Sequence, residues 1–513
     1  MRSPFLRFIG AKTATGAYTL VADTGTFNLS GTSAVLNYNV PATIYTLVSD
    51  SGVFNLTGTT AALSRSYYVS ADSGSFALSG TATSLLHNYY IAAESGVFTL
   101  SGTDATLIKI YYIPANSGSF ILAGTVANLT YSYQVIADSG AFTLSGTPAP
   151  LTYNKYLSAN SGTFNLTGQA AALSYGSIKT LPAESGSFSL SGTDTTLLSN
   201  KIVYAYSGAY ALAGADAAIS YTYALAADSG TFSIAGQAAA LNYGTLKTLV
   251  AGTGSFTLTG PDAALPYNRY LPASSGAFNL SGQSATLSKA YTLTANSGIF
   301  SLSGQDTLLL LQHTLAAGSG SFALAGQGAT LLYGNNKILL AESGAFSLTG
   351  INASVIFNRY LTTESGSYTL VGQDASVAHT YALIADSGVF TLSGTDAGVL
   401  VHRAVQAAPG NYSLTGTDAA LSLLSTGGFL LAADSGSFII TGQNVALVYG
   451  NVYTLLAEPG AYTISGIDAI PRWVNSLDVE ILDSTLSLYT TLTFTLQMNQ
   501  LIEIDYKIFN EHR

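Results

Sequence analysis

The chain has 513 residues, of which 48% are hydrophobic and 9% charged, with a formal net charge of −10 at pH 7 and no cysteine. So few charges, against roughly 25% in an ordinary globular protein, set the chain apart, yet abundant and regularly spaced apolar residues exclude the charge-rich type of disorder. The acidic balance argues against nucleic acid as a partner, and the lack of cysteine excludes disulfides and thiolate metal sites.

The first residues, MRSPFLRFIGAKTATG, hold a short apolar run broken by Arg7, so no cleavable secretory signal is expected there. Residues 1–20, which include part of a repeat in TGAYTLVA, are expected to form an N-terminal cap or attachment arm.

Residues 21–466 repeat one unit about twenty times with a spacing of mostly 22 residues. The anchor is the glycine of SGSF, as at Gly74, Gly96 and Gly118; two residues on stands Phe or Tyr, four on Leu or Ile, and six on Gly. Phe76, Leu78 and Gly80, then Phe98, Leu100 and Gly102, fill these places in two successive copies. Apolar residues recur at every second position, the period of a strand with one buried face. Three short strands per copy follow: strand a (xFxLx), strand b (AxL) and strand c (YxLxA), which runs into Asp-Ser-Gly. Glycine at the corners suggests positive φ, and Asp or Asn before Ser-Gly suggests a turn bonded to the backbone two residues on. Where the spacing grows to 24, 26 or 27, the extra residues fit between strands b and c, as in YGSIKTL at 175–181.

Charge follows the same columns. Acids stand two residues before the anchor (Asp72, Glu94, Asp138) or eight after it (Asp104, Asp194, Asp418), and bases such as Lys109 and Arg403 stand at the b–c connection. Stacked copies therefore predict acidic edges and a separate basic edge. Like charges on neighbouring coils repel by roughly 1 kcal/mol in water, so turn hydrogen bonds, cations or the interspersed Asn116 and Asn160 must relieve them. The expected fold is all-β, an elongated tandem repeat, either a solenoid-like rod or an intertwined β-fibre of several chains.

After Gly466 the pattern stops. Residues 467–513 carry the single tryptophan, Trp473, and read as longer strands of a small β module, a C-terminal cap or an assembly element. No run of about 18 apolar residues occurs, so no helix is expected to span a membrane.

Chemistry would show as a break in the repeat. The recurring carboxylates read as turn formers rather than a divalent-cation ladder or glycosidase pairs. His87, His313, His379, His402 and His512 are scattered without metal-ligand spacing. No catalytic, cofactor or metal residues are expected. The best contact surface is aromatic and basic: Tyr153, Lys155 and Tyr156 in YNKYL, Tyr267, Arg269 and Tyr270 in YNRYL, and Phe357, Arg359 and Tyr360 in FNRYL. Aromatics beside a cation and an amide suit sugars; the plainer reading is a hairpin tip protected by its charge.

The unit LxAxSGxFxLxGxxAxL, over roughly residues 16–466, resembles repeats of virion structural proteins of tailed bacteriophages. That resemblance implies a fibre, spike or head-decoration component, located in the virion, self-assembling as a homo-oligomer (a trimer if a fibre) with other virion proteins. Host glycans are the expected outside ligand. A bacterial surface adhesin or filament subunit is the rival structural reading, and a polysaccharide-degrading tailspike the enzymatic one. The tailspike would have to use the C-terminal acids Asp478, Glu480, Asp483, Glu503 and Asp505.

Overall fold

Phe76, Leu78, Thr83, Leu85, Ile91 and Ala93 turn inward from the strands of successive coils, and each is buried at 0–1% exposure. The alternation that predicted strands is thus realised as a β-solenoid, in which each coil adds one strand to each of three parallel faces. The computed structural model describes residues 7–10, 18–37, 45–64, 66–174, 180–198, 202–220, 224–242, 248–265, 268–333, 338–356, 360–407, 409–423, 429–432, 436–449, 453–456, 461–465 and 468–473. Every regular element among them is a strand. The chain divides into two compact units, Met1–Thr349 and Gly350–Arg513.

In the first unit the in-register pairing is parallel and like sits on like: Phe98 pairs with Phe76 and Phe120, Leu100 with Leu78 and Leu122, Gly102 with Gly80 and Gly124. The aromatic rings stack along this file, from Phe76–Phe98 at 4.9 Å between centroids to Phe164–Phe188 at 4.7 Å, with planes within 6°. The ring spacing is the strand spacing, so aromatic stacking and the backbone ladder favour one and the same register. Strands a, b and c fuse in some coils, giving continuous strands such as Val97–Ala115 and Ser119–Ala137. One pair departs from the parallel rule: Arg7–Gly10 runs antiparallel to Tyr18–Ala22.

Insertions do not disturb the register. Ala159 pairs with Ala183, although two more residues separate them than separate Ala137 from Ala159, and Leu151 still pairs with Leu173. The additional residues fall between Ser174 and Thr180, at the b–c connection.

Two corner expectations change. The anchor glycines from Gly52 to Gly344 do not adopt positive φ. Left-handed backbone instead occurs at His87, Lys109 and Tyr131, with φ of 60°, 57° and 65°. Glycine is required at the anchor by close approach: a Cβ on Gly118 would lie 2.1 Å from the carbonyl oxygen of Gly96, and one on Gly96 2.1 Å from that of Gly74. The turn serine also looks between coils. Ser73 Oγ donates to the Asp50 carbonyl at 2.8 Å, a bond its own backbone N–H makes too, and Ser95 repeats this on Asp72.

The second unit follows the same plan in its own described coils. Tyr368, Phe390, Tyr412 and Phe438 stack at 5.1, 4.9 and 4.6 Å. Strand Asp468–Trp473 pairs in register with Asn444–Tyr449, so the repeat runs on past Gly466. The rest of the expected C-terminal module, with its acids from Asp478 to Asp505, lies outside the described residues.

Gly118→Ala should lower the stability of the full chain by about 1–3 kcal/mol or more, since backbone must yield to the new methyl, whereas Thr99→Ala on an outward position should change it little; chemical denaturation measures both. Tyr412 is 1% exposed and its hydroxyl has no hydrogen-bond partner. Tyr412→Phe should therefore raise stability by about 1–3 kcal/mol, seen as a higher melting temperature, and a lower one would contradict the packing described.

Candidate binding surface

The strands place three kinds of side chain at the surface in files: small neutral residues on the faces, acids beside strand a, and aromatics at the b–c corner. The outward file Thr99, Ile121, Thr143 and Asn165 typifies the faces.

Among the acids, the amides do the work expected of them. Asn116 Nδ2 donates to Glu94, and Asn160 Nδ2 donates to Asp138 Oδ1 at 3.1 Å. Glu94 also accepts from the Tyr90 hydroxyl at 3.1 Å. In the second unit the file is Asn352, Asp374, Asp396, Asp418 and Asn444, with three acids in succession. Asn444 Nδ2 donates to Asp418 Oδ1 at 2.5 Å, but Asp396 has a carboxylate on each side. Lost hydration and then the charges of Asp418 and Asp374 raise its carboxyl above the usual range. Among the described residues, no group of three histidines, cysteines or acids is arranged to hold a metal ion.

A shallow groove of about 460 Å³ follows the Ser-Gly corner, lined by Ser95, Gly96, Ser117, Gly118, Ser139 and Gly140 among others. Its serine hydroxyls already donate to carbonyls of the preceding coil: Ser95 to Asp72, Ser117 to Glu94, Ser139 to Asn116. The groove is a by-product of the glycine corner and offers a ligand mostly backbone.

Of the aromatic and basic candidates, Tyr156 is half-buried and pairs with Gln134, Tyr270 is exposed between Thr248 and Thr292, and Tyr360 is exposed beside Ala382. The side chains of Tyr153, Lys155 and Arg269, and all of Tyr267, Phe357 and Arg359, lie outside the described residues. Tyr270, with threonine on both sides, extends no aromatic row.

An aromatic row exists elsewhere. Tyr67, Tyr89, Tyr111 and Tyr133 occupy one position of four consecutive coils and are 40–45% exposed. Their rings stack at 4.8, 4.6 and 4.6 Å with planes 5° apart. Beside them run Tyr68, Tyr90 and Tyr112, partly covered. Burial is the main cause that holds these three phenols above their usual range, and carboxylate charge adds to it: Glu94 and Asp72 on Tyr68, Glu94 on Tyr90, and Asp138 then Glu94 on Tyr112. All three are therefore protonated at neutral pH. On the other side stand His87, Lys109 and Tyr131, exposed, at the left-handed corner positions. The backbone there is tied coil to coil: Tyr89 N–H donates to Ser66 at 3.2 Å, and Tyr111 N–H to Asn88 at 3.1 Å. The signal was present in the doublets SYY, NYY and IYY at 66–68, 88–90 and 110–112. The file sits at the tyrosine of the strand c pattern YxLxA, a position that Lys155 and Arg269 fill in other copies, so in the sequence it reads as part of the repeat.

Because the folded Asp396 carboxyl is raised, the folded state holds more protons than the unfolded one between the ordinary aspartate range and that raised value, and stability falls as pH rises through this window. Asp396→Asn should thus raise the melting temperature at pH 7, with a gain that shrinks below about pH 3.5, under the ordinary aspartate range; an equal gain at both pH values would contradict the carboxylate repulsion. The chain matches no protein-family model, no curated protein and no solved structure.

Proposed function

We propose that this is a non-enzymatic structural protein, whose stacked coils make a stiff scaffold within a virion surface component of the fibre, spike or head-decoration kind. The observation that carries the reading is the maintenance of register across insertions, in which the coils on either side of an insertion keep the same buried positions paired. Such economy of pattern suits a mechanical part: each coil contacts its neighbours, and stability accrues with their number. A catalytic centre needs unique groups held in a recess, whereas Asp374, Asp396 and Asp418 stand exposed in a periodic file. The virion assignment rests on the likeness of the repeat unit to phage virion repeats, and self-assembly belongs to the same reading.

Two measurements test it. Purified virus particles from the source should contain the chain by mass spectrometry and bind antibody against it at their surface, and its absence from the particles would overturn the assignment. Host capsule incubated with the full chain should keep its length from pH 4 to pH 9 (about the range in which carboxylate pairs are active). Shortened chains would establish the tailspike reading instead.

A further inference from the structure

The exposed tyrosine file occupies the tyrosine position of strand c in four consecutive coils, and its geometry restricts what it can bind. Each of Tyr89 and Tyr111 is sandwiched between two neighbours, with centroids 4.6–4.8 Å apart. A nucleobase or sugar ring cannot lie on their faces, because neighbouring tyrosines already cover them. Ring edges and the hydroxyls of Tyr67, Tyr89 and Tyr111 remain: a row of groups that each donate and accept a hydrogen bond, one per coil. A ligand that uses the whole row must be extended and must repeat at close to the coil spacing. Linear glycans in extended β-linkage have a rise per sugar near that value and present hydroxyls along both edges.

Charge narrows the class further. His87 and Lys109 are exposed beside the row. The acids lie elsewhere on the coil. Glu94 belongs to the neighbouring file, where it accepts from the Tyr90 hydroxyl at 3.1 Å and from Asn116 Nδ2. We propose that Tyr67, Tyr89, Tyr111 and Tyr133, with His87 and Lys109, form a binding site for a linear acidic polysaccharide that lies along the stack of coils.

The rings are held by stacking and their backbone by coil-to-coil hydrogen bonds, so little side-chain freedom remains to be lost on binding. Weak contacts repeated on four coils of one rigid unit act together. A second copy of the chain is a poorer occupant: four rings exposing less than half their surface fall well short of the roughly 800 Å² per partner of a stable protein interface. The inference does not depend on the virion assignment, since a scaffold in any setting could carry this site.

Calorimetric titration of the full chain tests it, with β-(1→4)-linked oligomannuronate and cellouronate as acidic probes, cello-oligosaccharides as the neutral probe, and single-stranded oligothymidylate as a different polyanion. At least one acidic oligosaccharide should bind, more weakly as salt is raised, with neutral glycans and oligothymidylate binding at least about tenfold more weakly. The paired change Tyr89→Phe with Tyr111→Phe keeps the stack and removes two hydroxyls; it should leave the melting temperature unchanged and weaken binding about tenfold. Lys109→Gln should weaken it and flatten the salt dependence. The proposal is overturned if neither acidic glycan binds, if the phenylalanine pair binds as tightly as the parent, or if oligothymidylate or the neutral glycan binds as well as the acidic ones.

Discussion

Parallel, in-register pairing of identical positions governs the molecule, because it converts each choice at one position of the repeat into a continuous file. In the first unit Phe98 lies between Phe76 and Phe120, with ring planes within 4° of both. A shift of one residue would turn Phe98, Leu100, Ala105 and Leu107 outward at once. The glycine anchors enforce the same register from the corner. A Cβ there would meet backbone of the preceding coil at about 2 Å, so only the glycine-on-glycine arrangement is compact.

The same rule makes charge expensive. A carboxylate at a repeat position meets a carboxylate on the next coil unless the sequence varies. In the first unit the variation is visible: Asn116 follows Glu94 and Asn160 follows Asp138, each donating to the acid before it. In the second unit Asp374, Asp396 and Asp418 follow one another, and the middle carboxyl bears the strain. The scarcity of charge in the chain as a whole, 9% of residues, is what a like-on-like architecture requires. Tyrosine escapes this restriction, since its exposed ring gains from stacking and its hydroxyl is neutral. A long tyrosine file is thus one of the few polar features that such a stack can display without penalty.

Much of this was legible in the sequence because period and burial are linked. The buried positions, the three strands and the location of the insertions all follow from alternation and spacing, and the amide relief of the acids follows from electrostatics. The function of the glycines was misread. Composition shows only that a Cβ is refused, not whether φ or a neighbouring backbone refuses it. The serine bond to the preceding coil was likewise invisible, since a local turn and an intercoil bond use the same residues. The tyrosine file was missed for a different reason. Its residues are the tyrosine of YxLxA and read as an ordinary strand position, and they matter as a row only once coils 22 residues apart are known to touch.

The central claim, that successive coils advance along one axis in register, is most directly tested by distances between spin labels in the first unit. The chain has no cysteine to interfere, and the outward file running through Thr99, Ser189, Ser233 and Asn279 is unbroken. Labels on Thr99 paired with Ser189, Ser233 and Asn279, four, six and eight coils away, should give narrow distributions centred near about 19, 29 and 38 Å, a rise of about 4.8 Å per coil. Broad distributions, or distances that do not grow in proportion to the number of coils, would contradict it.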